Sequence, residues 1–195
     1  IVQTQDGYAL SKVGNIGLSL RKENYSAQIL EQYTHIAKDL ISENPCGRLS
    51  ILSGEPGTGK TFLVRGLVNA GAHNGTFVVV PPHMIHALAD PGLISLLIEH
   101  KQQHKEQPIV LVLEDADSAL VPRAADNMHS ISSLLNLSDG LLGRALDIRI
   151  IATTNAEMKE MDEALIRPGR LCQHITTKAL PQGEAQKLAD SLAPG

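Results

Sequence analysis

The run Gly54-Glu-Pro-Gly-Thr-Gly-Lys-Thr61 constrains this chain more than any other stretch. Gly54, Gly57 and Gly59 allow the backbone to turn its N–H groups into one concavity without Cβ clashes. A loop of this kind hangs between a strand that delivers it and a helix that leaves it. Both flanks comply. Leu49-Ser-Ile-Leu52, entered after Pro45 and Gly47, reads as a strand, and Lys60 to Ala70 reads as a helix.

The chemistry of the loop is that of a triphosphate site. Gly57, Thr58 and Gly59 form the wall of a phosphate cradle, and the N-terminus of the following helix adds its dipole. Lys60 is placed to reach β- and γ-phosphates, and the Thr61 hydroxyl to ligate magnesium. The nucleotide-binding set is therefore Glu55, Pro56, Gly57, Thr58, Gly59, Lys60, Thr61 and Phe62, with ATP and Mg2+ as cofactors.

The rest of the chain supplies a sheet for this loop. Strands are expected at Thr76 to Val80, Ile109 to Leu113, Arg149 to Ala152 and, more weakly, Cys172 to Thr176, with helical stretches between them. A helix over Ser26 to Ser42 buries Ile29, Leu30, Tyr33, Ile36, Ala37, Leu40 and Ile41 on one face. Ile109-Val-Leu-Val-Leu113 is apolar throughout, as strands covered on both faces are, so the expectation is a doubly wound α/β domain. A length of 195 residues with 43% hydrophobic content fits one such domain, covering 26–195 behind an N-terminal linker or extension over 1–25.

At the end of the apolar strand stand Glu114 and Asp115, at the carboxyl edge where open α/β sheets bind ligands. One carboxylate suits the magnesium shell and the other the attacking water. Asp117 reads as a hydrogen-bonding or capping residue.

These motifs, with Ile150-Ile-Ala-Thr-Thr-Asn155 and Asp162-Glu-Ala-Leu-Ile-Arg167-Pro-Gly-Arg170 after them, resemble the AAA clade of AAA+ ATPases over roughly residues 49 to 180. Leu134-Leu-Asn-Leu-Ser-Asp139-Gly140 is similar to the helix that the clade carries between its acidic strand and its sensor strand. The resemblance implies a P-loop NTPase fold, a five-stranded parallel sheet sandwiched by helices, and ATP hydrolysis in a homo-oligomeric, hexameric ring that remodels or translocates a protein. It makes Asn155 the sensor residue at a strand tip and Arg167 and Arg170 the arginine fingers that reach a neighbouring subunit's ATP. With Glu114 in the metal position and Asp115 in the catalytic one, the acidic pair reverses the clade's usual Asp-Glu order. The reversed pair, with Asp117-Ser-Ala119 and Arg123, is similar to the motif of the mitochondrial AAA translocase of the Rieske protein.

Two departures from the clade stand out. Pro81-Pro-His-Met-Ile-His86 lacks the aromatic with which threading members grip a polypeptide, so Met84 and Ile85 belong either to a pore or to the core. The clade's helical lid is expected to be absent, since the chain stops soon after Pro181-Gln-Gly-Glu-Ala185.

Composition narrows the alternatives. A net charge of −4 gives no overall attraction for nucleic acid, which weighs against a clamp-loader-like ATPase. The absence of an Asn-Lys-x-Asp motif weighs against a GTPase, and the catalytic set weighs against a pure nucleotide-binding switch or scaffold. A small-molecule kinase leaves Asn155 and the two arginines without a role. Cys46 and Cys172, far apart in sequence, read as ordinary buried thiols of a cytoplasmic or other reducing intracellular compartment. His100 with His104, and His83 with His86, read as solvated or capping residues because two ligands make a poor metal site. No apolar run is long enough to span a bilayer. The chain begins with Ile1 rather than Met, leaving room for an upstream anchor or targeting segment.

Overall fold

The computed structural model describes residues 1–4, 7–12, 14, 17, 20–122 and 125–192. Arg123, part of the reversed acidic motif, lies outside the described residues.

The sheet is built from β3 (Leu49–Gly54), β4 (Thr76–Val80), β5 (Ile109–Leu113), β6 (Ile148–Thr154) and β7 (Leu171–Thr177). All neighbours pair in parallel, in the order β4-β5-β6-β3-β7. The strand β3, which leads into the Gly-rich loop, thus lies between β6 and the last strand β7. Side chains of β5 alternate strictly between the two cores. Ile109, Leu111 and Leu113 face one, and Val110 and Val112 face the other. This is the period-2 signature of a strand buried on both faces. The five-stranded parallel sheet and its helical layers match the expected fold.

One face is covered by α1 (Ala27–Asp39) and α2 (Lys60–Gly71), which bring Ile36, Leu63 and Leu67 against Leu52 and Ile151. Ser26 caps α1 by accepting from the Ile29 N–H. The other face is covered by a 3₁₀ segment, Pro82–Ala89, then α3 (Pro91–Gln103), α4 (Asp117–Leu120) and α5 (Ala125–Asp139). The last of these holds the Leu134-to-Asp139 stretch singled out in the sequence. Two shorter pieces follow the same plan, α6 (Leu141–Ala145) before β6, and α7 (Gln182–Leu192) after β7.

The N-terminal extension is not without structure. It carries a hairpin of β1 (Val2–Thr4) and β2 (Gly7–Ala9), and its terminal amine donates to the Val79 carbonyl at the sheet edge. At the opposite edge of the loops, Arg149 is buried on β6. It donates to the carbonyls of Asp39 and Ser42 and pairs with Asp147, which Arg48 also holds at 2.7 Å. Burial pushes the Asp147 carboxyl up, but hydrogen bonds from Arg149 and Arg48 outweigh it and hold it below the usual carboxylate range.

One open sequence reading is settled here and another changes. Met84 and Ile85 are 4% and 1% exposed, so they pack the core instead of facing a pore. The cysteines are not separate buried thiols. Cys46 is exposed, Cys172 half-buried, and their sulfurs lie 3.5 Å apart because the Cys46 loop folds onto the start of β7.

Candidate active site

The loop between β3 and α2 depends on glycine at two places. Gly54 has φ +147°, and a Cβ there would meet the Thr177 carbonyl oxygen at 2.3 Å, so no side chain fits. Gly59, at φ +95°, forms the left-handed entry to α2, and its carbonyl accepts from the Tyr25 hydroxyl at 2.9 Å. Gly57, at φ +82°, faces open space where a Cβ would point, as a cradle for a ligand requires. The loop is pinned from outside by Thr58, whose Oγ1 lies 2.6 Å from Thr177 Oγ1 and donates to the Glu55 carbonyl.

Lys60 is buried, and its ammonium donates to the carbonyls of Gly54 (2.6 Å) and Glu55 (3.0 Å) and to Asn155 Oδ1 at 2.9 Å. Burial lowers the Lys60 pKa, while the carboxylates of Asp115 and Asp117 act the opposite way. The lysine, the tip of β6 and the acidic turn after β5 are thus one electrostatic unit. Thr61 is exposed in the first turn of α2, where the N–H groups lack intrahelical partners and favour an anion.

The acidic turn is shaped by β6. Asp115 has φ +51°, a left-handed conformation that Asp tolerates better than most residues. Its N–H donates to Thr153 Oγ1 and the next N–H, of Ala116, to the Thr153 carbonyl. Thr154 Oγ1 donates to Asp117 Oδ1 at 2.9 Å and accepts from the Ala156 N–H. Asp117 both begins α4 and braces β6, in keeping with the hydrogen-bonding role read from the sequence. Glu114 is half-buried and Asp115 exposed. Glu114 and Thr61 offer oxygen donors, the chemistry that suits magnesium.

The two arginines differ. Arg170 is tied into its own chain, donating to Asp139 Oδ2 at 3.1 Å and to the Ala164 carbonyl at 2.9 Å. Arg167 is exposed, with no side-chain partner among the described residues.

Beside the loop opens a cleft of about 1110 Å³. Glu55 to Gly59 and Phe62 line it, with Tyr25 and Ile29 at the start of α1 and His174 and Thr177 on β7. Lys60 and Thr61 do not line it, since the lysine runs toward the tip of β6. The room fits the nucleoside part of a ligand whose phosphates lie over the loop. Sequence reasoning missed Tyr25, His174 and Thr177. Burial pushes the Tyr25 hydroxyl up to about 12, so it stays a donor. Burial lowers His174, which shares a hydrogen bond with Ser53 Oγ at 2.7 Å.

Neither histidine pair gathers a metal site among the described residues. His100 shares a hydrogen bond with Thr76 Oγ1 and lies 4.6 Å from the His104 ring.

Comparison with known proteins agrees with this geometry. The family described as "ATPase family associated with various cellular activities (AAA)" matches residues 50–179. The "ATPase family gene 2 protein" of Saccharomyces cerevisiae is 33% identical over 131 residues, 64% of this chain and 16% of that protein. "Protein CdcH" of Halobacterium salinarum is 26% identical over 178 residues, 89% of this chain and 23% of that protein. The "26S proteasome regulatory subunit 4 homolog" of Schizosaccharomyces pombe is 31% identical over 133 residues, 64% of this chain and 29% of that protein. The chain spans less than a third of the length of each of these relatives. A match over the phosphate loop, acidic turn, sensor strand and both arginines, on the parallel sheet these elements require, means that the chain belongs to the AAA family of ATPases.

Proposed function

We propose that this chain binds ATP with magnesium and hydrolyses it as one subunit of a homo-oligomeric, hexameric ring that remodels or translocates a protein. The observation that carries the reading is the bond from Lys60 to Asn155 beside the carboxylates of Asp115 and Asp117. A binding module needs the loop but has no use for an amide and an acidic turn held against its lysine.

In this reading the loop N–H groups and Lys60 hold the β- and γ-phosphates, and ATP draws the lysine from the loop carbonyls. Thr61 and Glu114 hold magnesium, which neutralises charge on the phosphates. Asp115 orients and deprotonates the attacking water, and Asn155 hydrogen-bonds that water or the γ-phosphate. Arg167, exposed and without a side-chain partner among the described residues, extends to the neighbouring subunit's nucleotide. Arg170, bonded to Asp139 and Ala164, holds the Arg167 turn in place and joins it at the interface when that pairing exchanges.

A protein substrate is supported by the likeness to a proteasome regulatory subunit. Burial of Met84 and Ile85 removes an apolar grip for threading. A reducing intracellular compartment suits the two thiols.

The test is steady-state ATP hydrolysis against protein concentration, with ATP binding followed in parallel, for the chain and for Asp115→Asn. Specific activity that rises with concentration, and a variant that binds ATP without turning it over, support an interface-built ATPase. Binding without turnover at every concentration, also in a chain extended beyond Gly195, overturns it in favour of a switch.

A further inference from the structure

Four side chains that the nucleotide site does not use converge at the other side of α1. His35 and Asp39 lie one turn apart on that helix, Cys46 follows it in the loop to β3, and Cys172 is the second residue of β7. Cys46 Sγ is 3.5 Å from Cys172 Sγ, and Cys172 Sγ is 3.8 Å from His35 Nδ1. All three ligand atoms lie within 4.8 Å of one another.

The cluster is held by backbone as well as side chains. The Cys46 N–H donates to Asp39 Oδ1 at 2.8 Å. The N–H groups of Arg48 and Leu49 both donate to the Arg170 carbonyl, two residues before Cys172. A Cβ at Gly47 would meet the Cys172 nitrogen at 2.4 Å, so glycine is what lets the Cys46 loop lie flat on β7.

These separations have a chemical meaning. Two thiolates on one tetrahedral zinc ion lie about 3.7 Å apart, and a thiolate and an imidazole about 3.5 Å apart, from bond lengths of about 2.3 and 2.0 Å. The Cys46–Cys172 and Cys172–His35 distances are within about 0.3 Å of these values, and the Cys46–His35 separation stays within 4.8 Å. A disulfide needs sulfurs at about 2.0 Å and gives His35 no part. We propose that His35, Cys46 and Cys172 form a surface binding site for a thiophilic divalent cation, zinc in the first place, with water as fourth ligand. Two protons leave the thiols as the ion binds, and no electron is transferred.

Such an ion ties α1 to β7 through His35 and Cys172, across 137 residues. The same two elements carry Ile29, on α1, and His174 and Thr177, on β7, into the cleft beside the phosphate loop. Gln32 already links them by donating to the His174 carbonyl at 3.2 Å. The ion therefore stiffens one wall of the cleft, a role independent of whether ATP is hydrolysed.

The test uses the whole chain, without a histidine tag, purified under reducing conditions. Zinc content is measured by mass spectrometry after equimolar loading and gel filtration, and Co2+ is titrated in as a spectroscopic probe. The expected result is about one zinc per chain and a thiolate-to-cobalt charge-transfer band in the near ultraviolet. Cys46→Ser, at an exposed position that leaves folding intact, and Cys172→Ser should each weaken zinc binding at least about tenfold, and His35→Ala by about the same. A chain that retains no zinc, binding unchanged in Cys46→Ser, or a cobalt complex without the charge-transfer band overturns the site. So does loss of both free thiols in metal-free buffer on removal of reductant with zinc unable to prevent it, which makes the pair a disulfide.

Discussion

Lys60 Nζ donates to Asn155 Oδ1 at 2.9 Å, joining the phosphate loop to the tip of β6 across 95 residues. The contact predicts that the two side chains separate binding from turnover. Lys60→Ala should lose measurable ATP binding. Asn155→Ala should keep affinity within a few-fold while turnover falls about 10²- to 10³-fold, the usual scale for removing one donor that acts on the transition state. Fluorescent-nucleotide titration beside phosphate release checks both.

The contrast between Arg167 and Arg170 gives a second prediction. Arg167→Ala should leave the melting temperature unchanged and lower turnover by about 10³-fold or more, as arginine fingers do. Arg170→Ala should also lower turnover, but it breaks the pairing with Asp139 and so costs about 1 kcal/mol, a fall of about 2–4 °C in melting temperature. Mixing Arg167→Ala with Lys60→Ala chains should restore part of the activity. Failure of every ratio to do so would rule out action across an interface.

Gly54→Ala puts a Cβ against the Thr177 carbonyl at a backbone angle few L-residues adopt. It should destabilise the fold by about 3 kcal/mol or more, read as a lower urea midpoint with an unchanged slope. Gly57→Ala meets no atom and carries only the cost of its positive φ, so it should cost about 1 kcal/mol. A similar loss from both would mean that close packing on Thr177 does not set the loop.

Burial lowers the pKa of both His174 and His100. A histidine whose folded pKa lies below its unfolded value near 6.5 holds fewer protons when folded, so stability rises with pH through that window. The contribution is complete above about pH 6.5 and is lost as pH falls toward the folded values. Asp147, held low, gives its stability above the ordinary carboxylate range and does not change between pH 5 and 7.5. Urea midpoints across that interval should therefore climb, and the climb should flatten in His174→Asn and His100→Asn.

Much of this was legible in the sequence, and the exceptions have physical causes. β5 declares itself because a strand buried on both faces has no polar residue to spend. β6 was read too short, as Arg149 to Ala152, because Thr153 and Thr154 look polar yet are buried, spending their hydroxyls on the Asp115 N–H and on Asp117. Tyr25 and Thr177 reach the loop only through the fold, from 34 and 119 residues away. The thiol pair left no trace, since 126 residues separate its members and a glycine beside Cys46, not a metal-ligand spacing, brings them together.

Thr177 touches the phosphate loop three ways at the last residue of β7, through Thr58, through the Ser53 carbonyl and through the missing side chain of Gly54. A nucleotide that reshapes the loop must therefore pull on the exact point where the chain leaves the sheet for α7. Thr177 is thus a shared joint, and a substitution there disturbs both the seat of the loop and the exit of the chain from the sheet.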